Sequence, residues 1–141
     1  MGAMKTIAFV NSKGGTGKST LAAAVGVAAE ASGEKVFMID LDPQGSRSAW
    51  GERRKADTPA VDRIAPDQLP AAIAGLADAS RALSLLGVLA PVMVQRMEHV
   101  DAVGLGLGVT ELGGKAADET NALWIWIKQR ISINEQTQAV A

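Results

Sequence analysis

Apolar and polar positions divide the chain into short apolar runs and longer stretches of helical spacing. Lys5 to Asn11 (KTIAFVN) is a short run rich in β-branched residues that stops at Ser12, Gly14 and Gly15. Ser19 to Ala31 is an Ala-rich stretch closed by Ser32-Gly33. These segments predict a strand, a loop and a helix. Lys35 to Leu41 (KVFMIDL) is apolar nearly throughout, as expected for a strand covered on both faces of a parallel sheet. The opening segment therefore predicts a βαβ unit with a right-handed crossover.

From Pro43 to Ala65 the pattern weakens. Ser46 to Lys55 reads as a short helix, Pro59 breaks it, and Val61 to Ile64 reads as a minor strand. Leu69, Ile73, Leu76, Leu83 and Leu86 keep helical spacing from Asp67 to about Leu86, with Asp67 as N-cap and Pro70 in the first turn. Val88 to Gln95 (VLAPVMVQ) reads as another buried strand, which Pro91 places at an edge or a bulge. Glu98 to Gly108 ends in alternating glycines, Lys115 to Ile131 predicts a helix, and Ser132 to Ala141 predicts a frayed polar tail. No internal repeat or low-complexity linker divides the chain. One domain over residues 4–131 follows, with Met1-Gly2-Ala3 read as an expression remnant ahead of a native start at Met4.

Composition adds exclusions. The 141 residues are 48% hydrophobic and 21% charged, within the range of one soluble domain with a single core. With 14 basic and 15 acidic residues the formal charge is −1, so contact with nucleic acid or acidic lipid needs a local patch. The chain has no Cys, which removes disulfides, thiolate catalysis and Cys-ligated zinc and fits a reducing compartment. No apolar run approaches bilayer length and the start lacks a secretory pattern, so the expected location is the cytoplasm, without membrane contact.

Candidate chemistry concentrates in Lys13-Gly14-Gly15-Thr16-Gly17-Lys18-Ser19-Thr20. A triphosphate packs several anionic oxygens into a small volume, and glycines let backbone N–H groups approach it without Cβ atoms in the way. Gly14, Gly15 and Gly17 supply that, and the helix that follows adds its unpaired N-terminal amides and positive dipole end. Lys18 is placed to reach the β- and γ-phosphates and the Ser19 hydroxyl to ligate Mg²⁺. The bland alternative is a glycine turn that happens to contain lysines. Ser12 stands where the general pattern G-x-x-x-x-G-K-[ST] has its first glycine.

Lys13 at the head of KGGTGKST makes this segment resemble the deviant Walker A box of the ParA/MinD family of ATPases, which partition plasmids and chromosomes or position cellular assemblies. Asp40-Leu41-Asp42-Pro43-Gln44-Gly45 resembles the same family's D-x-D-P-Q segment. The resemblance implies a three-layer α/β P-loop NTPase-like fold with a small, mostly parallel sheet, binding ATP and Mg²⁺. It implies that Lys13 reaches the phosphates of a partner's ATP in a sandwich dimer, that Asp42 orients the attacking water, and that Asp40 lies near Mg²⁺ through water. Lys13, Lys18 and Asp42 are thus the candidate catalytic residues, and Ser19 and Asp40 the candidate metal neighbours. A solvated loop lysine and a pair of helix-capping carboxylates are the alternatives. More loosely, Arg81 to Val94 resembles the family's late helix–strand unit, and Gly114-Lys115-Ala116-Ala117-Asp118-Glu119 the opening of its last helix.

One family element is absent. No apolar strand ending in Asp-x-Pro, the family's Walker B, follows Asp42, and the sequence breaks near residues 79–81, where an internal deletion is inferred. Its loss weakens the expectation of hydrolysis and the preference for ATP over GTP, and exposes apolar sheet edges that dimerisation or strand exchange would cover. The expected function is a shortened ParA-type switch, a slow Mg²⁺-dependent ATPase whose dimer meets non-specific DNA or a stimulating ParB-like partner. The alternatives are a nucleotide-binding module without turnover and a strand-exchanged structural oligomer. Arg53, Arg54 and Lys55, with Lys115, Lys128 and Arg130, are the candidate basic patches. Gly104 to Gly108 reads as a structural loop, Trp124, Ile127 and Ile131 as one packed helical face, and His99 takes no role.

Overall fold

A computed structural model of the chain describes residues 4–9, 17–41, 46–76, 80–83 and 97–139. Helix α1 (Lys18–Ala31) lies at its centre, because residues 22–29 are all buried. A surface helix shows one apolar stripe, whereas a helix enclosed on every side needs small or apolar residues all round, and AAAVGVAA meets that need. Three apolar clusters form on its different faces.

The first joins Val25, Ala28 and Ala29 to Leu123, Trp124, Ile127 and Ile131 of α6 (Lys115–Ala139), as the helical spacing of those last three residues predicts. The Trp124 indole N–H donates to the Ser32 hydroxyl at 2.9 Å, and that hydroxyl donates to the Ala29 carbonyl at 2.8 Å, which ties α6 to the end of α1. The second cluster joins Ala22, Ala23 and Val27 to Met38 of β2 (Phe37–Asp40) and Trp50 of α2 (Ser46–Arg53). Gly26 permits this approach, since a Cβ there would stand 3.1 Å from the Met38 sulfur. The third joins Ala24 to Ala102 of α4 (Met97–Gly104), Val109 of α5 (Val109–Leu112) and Ala116 of α6.

The strands pair in parallel, as a sequence alternating strands with helices requires. β1 (Met4–Ile7) pairs with β4 (Ser80–Leu83) in the register Met4↔Ser80 to Ile7↔Leu83. β2 pairs with β3 (Ala60–Arg63) in the register Phe37↔Ala60 to Asp40↔Arg63. The strand–helix–strand order β1, α1, β2 is as expected, but among the described residues β1 and β2 each pair with a later strand and not with one another. A 3₁₀ turn (Pro66–Gln68) leads into α3 (Leu69–Leu76), which precedes β4.

Two expectations change. The helix predicted to run from Asp67 to about Leu86 stops at Leu76, and Ser80–Leu83 is a strand along β1. Leu76 and Leu83 fit helical spacing, but hydrogen bonds to a strand more than seventy residues away outweigh that local preference. The polar tail expected after Ile131 is instead a continuation of α6 to Ala139, because Glu135, Gln136, Gln138 and Ala139 are good helix formers and no Gly or Pro stops them. The strand predicted over Val88 to Gln95 lies outside the described residues.

Candidate nucleotide site

Gly17 precedes α1 with φ 79° and ψ 16°, in the left-handed region, and its carbonyl accepts the Leu21 N–H at 2.8 Å. A Cβ at Gly17 would meet nothing within 4 Å, so the backbone conformation and not a shortage of space calls for glycine. No acidic side chain lies in the first turn of α1, and Lys18, Ser19 and Thr20 are half-buried there. The amides of this turn and the positive end of the helix dipole thus have no side-chain anion within the turn. Lys13, Gly14, Gly15 and Thr16 lie outside the described residues, as does Asp42.

Asp40 is fully buried at the carboxyl end of β2. Residues 32–36 turn the chain back on itself after α1: the Glu34 N–H donates to the Ala29 carbonyl at 3.1 Å and the Val36 N–H to the Glu30 carboxylate at 2.9 Å. β2 therefore runs antiparallel to α1, and Met38 already stands against Gly26. Two residues of strand advance about 6.6 Å, and the seven residues from Gly26 back to Ser19 span about 10 Å of helix. Asp40, on the same buried face as Met38, is carried toward the turn that holds Lys18 and Ser19. A carboxylate and a hydroxyl are hard oxygen donors of the kind Mg²⁺ takes, so these two residues fit that ion.

Side chains of α2 and Arg54 just beyond it fasten onto the end of α4 and the α4–α5 turn. The Trp50 indole N–H donates to the Leu107 carbonyl at 3.0 Å, and Arg53 donates to the Val103 carbonyl at 3.3 and 3.4 Å. Arg54 donates to the carbonyls of Thr58 (2.7 Å) and Gly106 (3.2 Å) and to both Glu111 oxygens (2.8 and 3.0 Å). Gly106 is at φ +72, and a Cβ there would lie 2.5 Å from the Arg53 carbonyl carbon and the Arg54 nitrogen. The loop expected over Gly104 to Gly108 is thus a docking turn. Sequence reasoning placed Arg53 and Arg54 in a basic patch and gave Glu111 no part. The only sequence cue is Glu111 three residues after Gly108, the spacing at which a first-turn Glu accepts the N–H ahead of its helix, as it does here at 2.8 Å.

Two other residues of the basic patches are also engaged: Lys128 pairs with Glu34 at 3.0 Å, and the Arg130 guanidinium lies 5.3 Å from the centroid of Trp126. Among the described residues no group of three His, Cys, Asp or Glu side chains gathers to hold a metal, and buried His99 has no hydrogen-bond partner at either ring nitrogen. No helix among them is long and apolar enough to cross a membrane.

Residues 7–138 match the family model of the CobQ/CobB/MinD/ParA nucleotide binding domain. The chain belongs to this family. Its parallel strands and packed helices accordingly form an α/β fold of the P-loop NTPase type. It is 48% identical over 52 residues to the maintenance of carboxysome distribution protein A of Gloeobacter kilaueensis, which covers 37% of this chain and 24% of that one. It is 37% identical over 79 residues to the chromosome partitioning protein ParA of Caulobacter vibrioides, covering 48% of this chain and 30% of the relative. With the sporulation initiation inhibitor protein Soj of Bacillus subtilis it shares 40% identity over 53 residues, 38% and 21% of the two chains. The chain thus aligns with less than a third of the length of these relatives. No solved structure matches it.

Proposed function

We propose that the chain binds ATP with Mg²⁺ at the amino end of α1 and uses it as a slow, nucleotide-dependent dimerisation switch of the partitioning type, in the cytoplasm. The observation that supports this reading is that Asp40 is fully buried at the carboxyl end of β2, the end that runs toward the turn bearing Lys18 and Ser19, in a chain of a nucleotide-binding family. In this reading the amides of Gly14, Gly15 and Gly17 and the helix end cradle the phosphates. Lys18 neutralises the β- and γ-oxygens, Ser19 ligates the metal, and Asp40 holds a water of its shell. Thr16 and Thr20 complete the loop's polar lining. Mg²⁺, when bound, would neutralise charge on the phosphate oxygens as the bond from the γ-phosphorus to its bridging oxygen breaks. Lys13 reaches the partner protomer's phosphates and Asp42 orients the attacking water. Residues 4–131 act as one domain, and the dimer meets non-specific DNA and a ParB-like stimulating partner.

A second reading, nucleotide binding without turnover, is favoured by one observation. Among the described residues the strand that pairs with β1 is Ser80–Leu83 (SRAL), which carries no carboxylate, so that strand offers no outer metal ligand beside β1. The same pairing covers one edge of β1 from within the chain, which removes one need for strand exchange. Free-phosphate release by the chain and by Asp42→Ala separates the two readings. Turnover that Asp42→Ala removes while ATP still binds supports the switch ATPase. ATP binding with no turnover in either protein supports the second reading, and turnover unaffected by Asp42→Ala overturns the role given to that carboxylate.

A further inference from the structure

An arginine on the surface of a small domain ordinarily keeps its guanidinium in water, but the Arg54 side chain is only 6% exposed. Four of its N–H groups are spent on Thr58, Gly106 and Glu111, and its guanidinium lies 5.2 Å from the centroid of the Trp50 ring. A buried cation is tolerated where its donors are paired, so α2 and the α4–α5 turn cannot separate without stranding a charge. Trp50 donates to the Leu107 carbonyl of the same turn, and Arg53 twice to the Val103 carbonyl at the end of α4. The turn is fixed in its own right: a Cβ at Gly108 would meet the Val27 side chain of α1 at 2.5 Å, and Glu111 holds the Gly108 N–H.

On its other side Trp50 packs in one cluster with Met38, two residues before Asp40 on the same face of β2. The Arg54–Glu111 pair is therefore connected to Asp40 through Trp50, Met38 and one residue of strand. We infer that Arg54 and Glu111 are positioning residues for the nucleotide site: the seating of the α4–α5 turn sets α2, and α2 sets the end of β2 that carries Asp40. The inference rests on the nucleotide reading above for its consequence, although the mechanical coupling does not. Because coupling between two places is reciprocal, nucleotide at the site stabilises the α4–α5 turn, and whatever unseats that turn weakens nucleotide binding by the same factor.

The test reads amide exchange and MgATP affinity in the full chain, in Glu111→Gln, Arg54→Lys and their double variant, with Glu34→Gln as a control that breaks the exposed pair to Lys128. In Glu111→Gln, exchange is expected to quicken about tenfold over residues 46–53 and 37–40 as well as at 108–112, with residues 123–131 unchanged. The dissociation constant for MgATP is expected to rise about tenfold, and the double variant to lose no more affinity than the worse single one. In the unaltered chain, saturating MgATP is expected to slow exchange at residues 103–111. Faster exchange confined to 105–112, additive losses in the double variant, or no protection of 103–111 by bound MgATP each overturns the inference. If the unaltered chain binds no ATP, the proposed function fails, and exchange at 37–40 in Glu111→Gln still decides the coupling.

Discussion

The guanidinium of Arg54 meets both carboxylate oxygens of Glu111, at 2.8 and 3.0 Å, across 57 residues of sequence. The arginine side chain is 6% exposed and the glutamate 34%, so the pair lies at the margin of the core. Two parallel charge-assisted bonds in that setting outlast the screening that weakens exposed pairs. Glu111→Ala strands a buried cation and is expected to cost about 2–3 kcal/mol of stability in urea unfolding. Breaking the exposed Lys128–Glu34 pair is expected to cost no more than about 1 kcal/mol. Equal costs for the two would contradict the burial argument.

The same pair predicts a response to acid. The Arg54 hydrogen bonds, aided by the Gly108 N–H and the arginine charge, hold the Glu111 carboxyl below its ordinary value of 4.5 against an opposing effect of burial. A carboxyl lowered by folding stabilises fully above its unfolded value and loses that contribution as the pH falls through the lower folded value. The stability gap between the protein and Glu111→Gln is therefore expected to stay constant from neutral pH to about 5 and to close below about 4.5. A gap that closed between pH 6 and 8 would point to another group.

Two neighbouring glycines are expected to respond oppositely to the same change. Gly106→Ala forces a Cβ to within 2.5 Å of the Arg53 and Arg54 backbone at φ +72, and is expected to cost about 2 kcal/mol or more. Gly104→Ala, at the end of α4 with nothing within 4 Å, is expected to leave stability unchanged or raise it by up to about 1 kcal/mol. Thermal unfolding of the two variants side by side measures this, and a loss in Gly104→Ala would contradict it.

Ile127 is 4% exposed between α6 and α1, so Ile127→Ala leaves a cavity in the first cluster and is expected to cost about 2–5 kcal/mol in urea unfolding. Ile125 on the same helix is 56% exposed, and its truncation is expected to fall within about 0.5 kcal/mol.

What the sequence made legible was local. The strand–helix–strand opening, the short α2, the minor strand at Ala60–Arg63 and the packed face of Trp124, Ile127 and Ile131 all follow from spacing that a single element must satisfy. The strand at Ser80–Leu83 was hidden because its partner, Met4–Ile7, lies at the other end of the sequence, and helical spacing of leucines continues through it. Arg54 was hidden for a related reason: in sequence it is one of three adjacent basic residues, and only the return of the α4–α5 turn reveals that its charge is consumed by Glu111 and three groups around it. Of the candidate site, the helix start at Lys18 and the strand end at Asp40 were legible, since motif spacing and strand alternation are both local rules.

The central claim is that the amino end of α1 binds a nucleoside triphosphate. Calorimetric titration of the chain and of Lys18→Ala with MgATP tests it most directly. The account predicts saturable heat of binding in the unaltered chain and none in Lys18→Ala, with both proteins folded in the absence of nucleotide. Equal affinity of both for MgATP would contradict it.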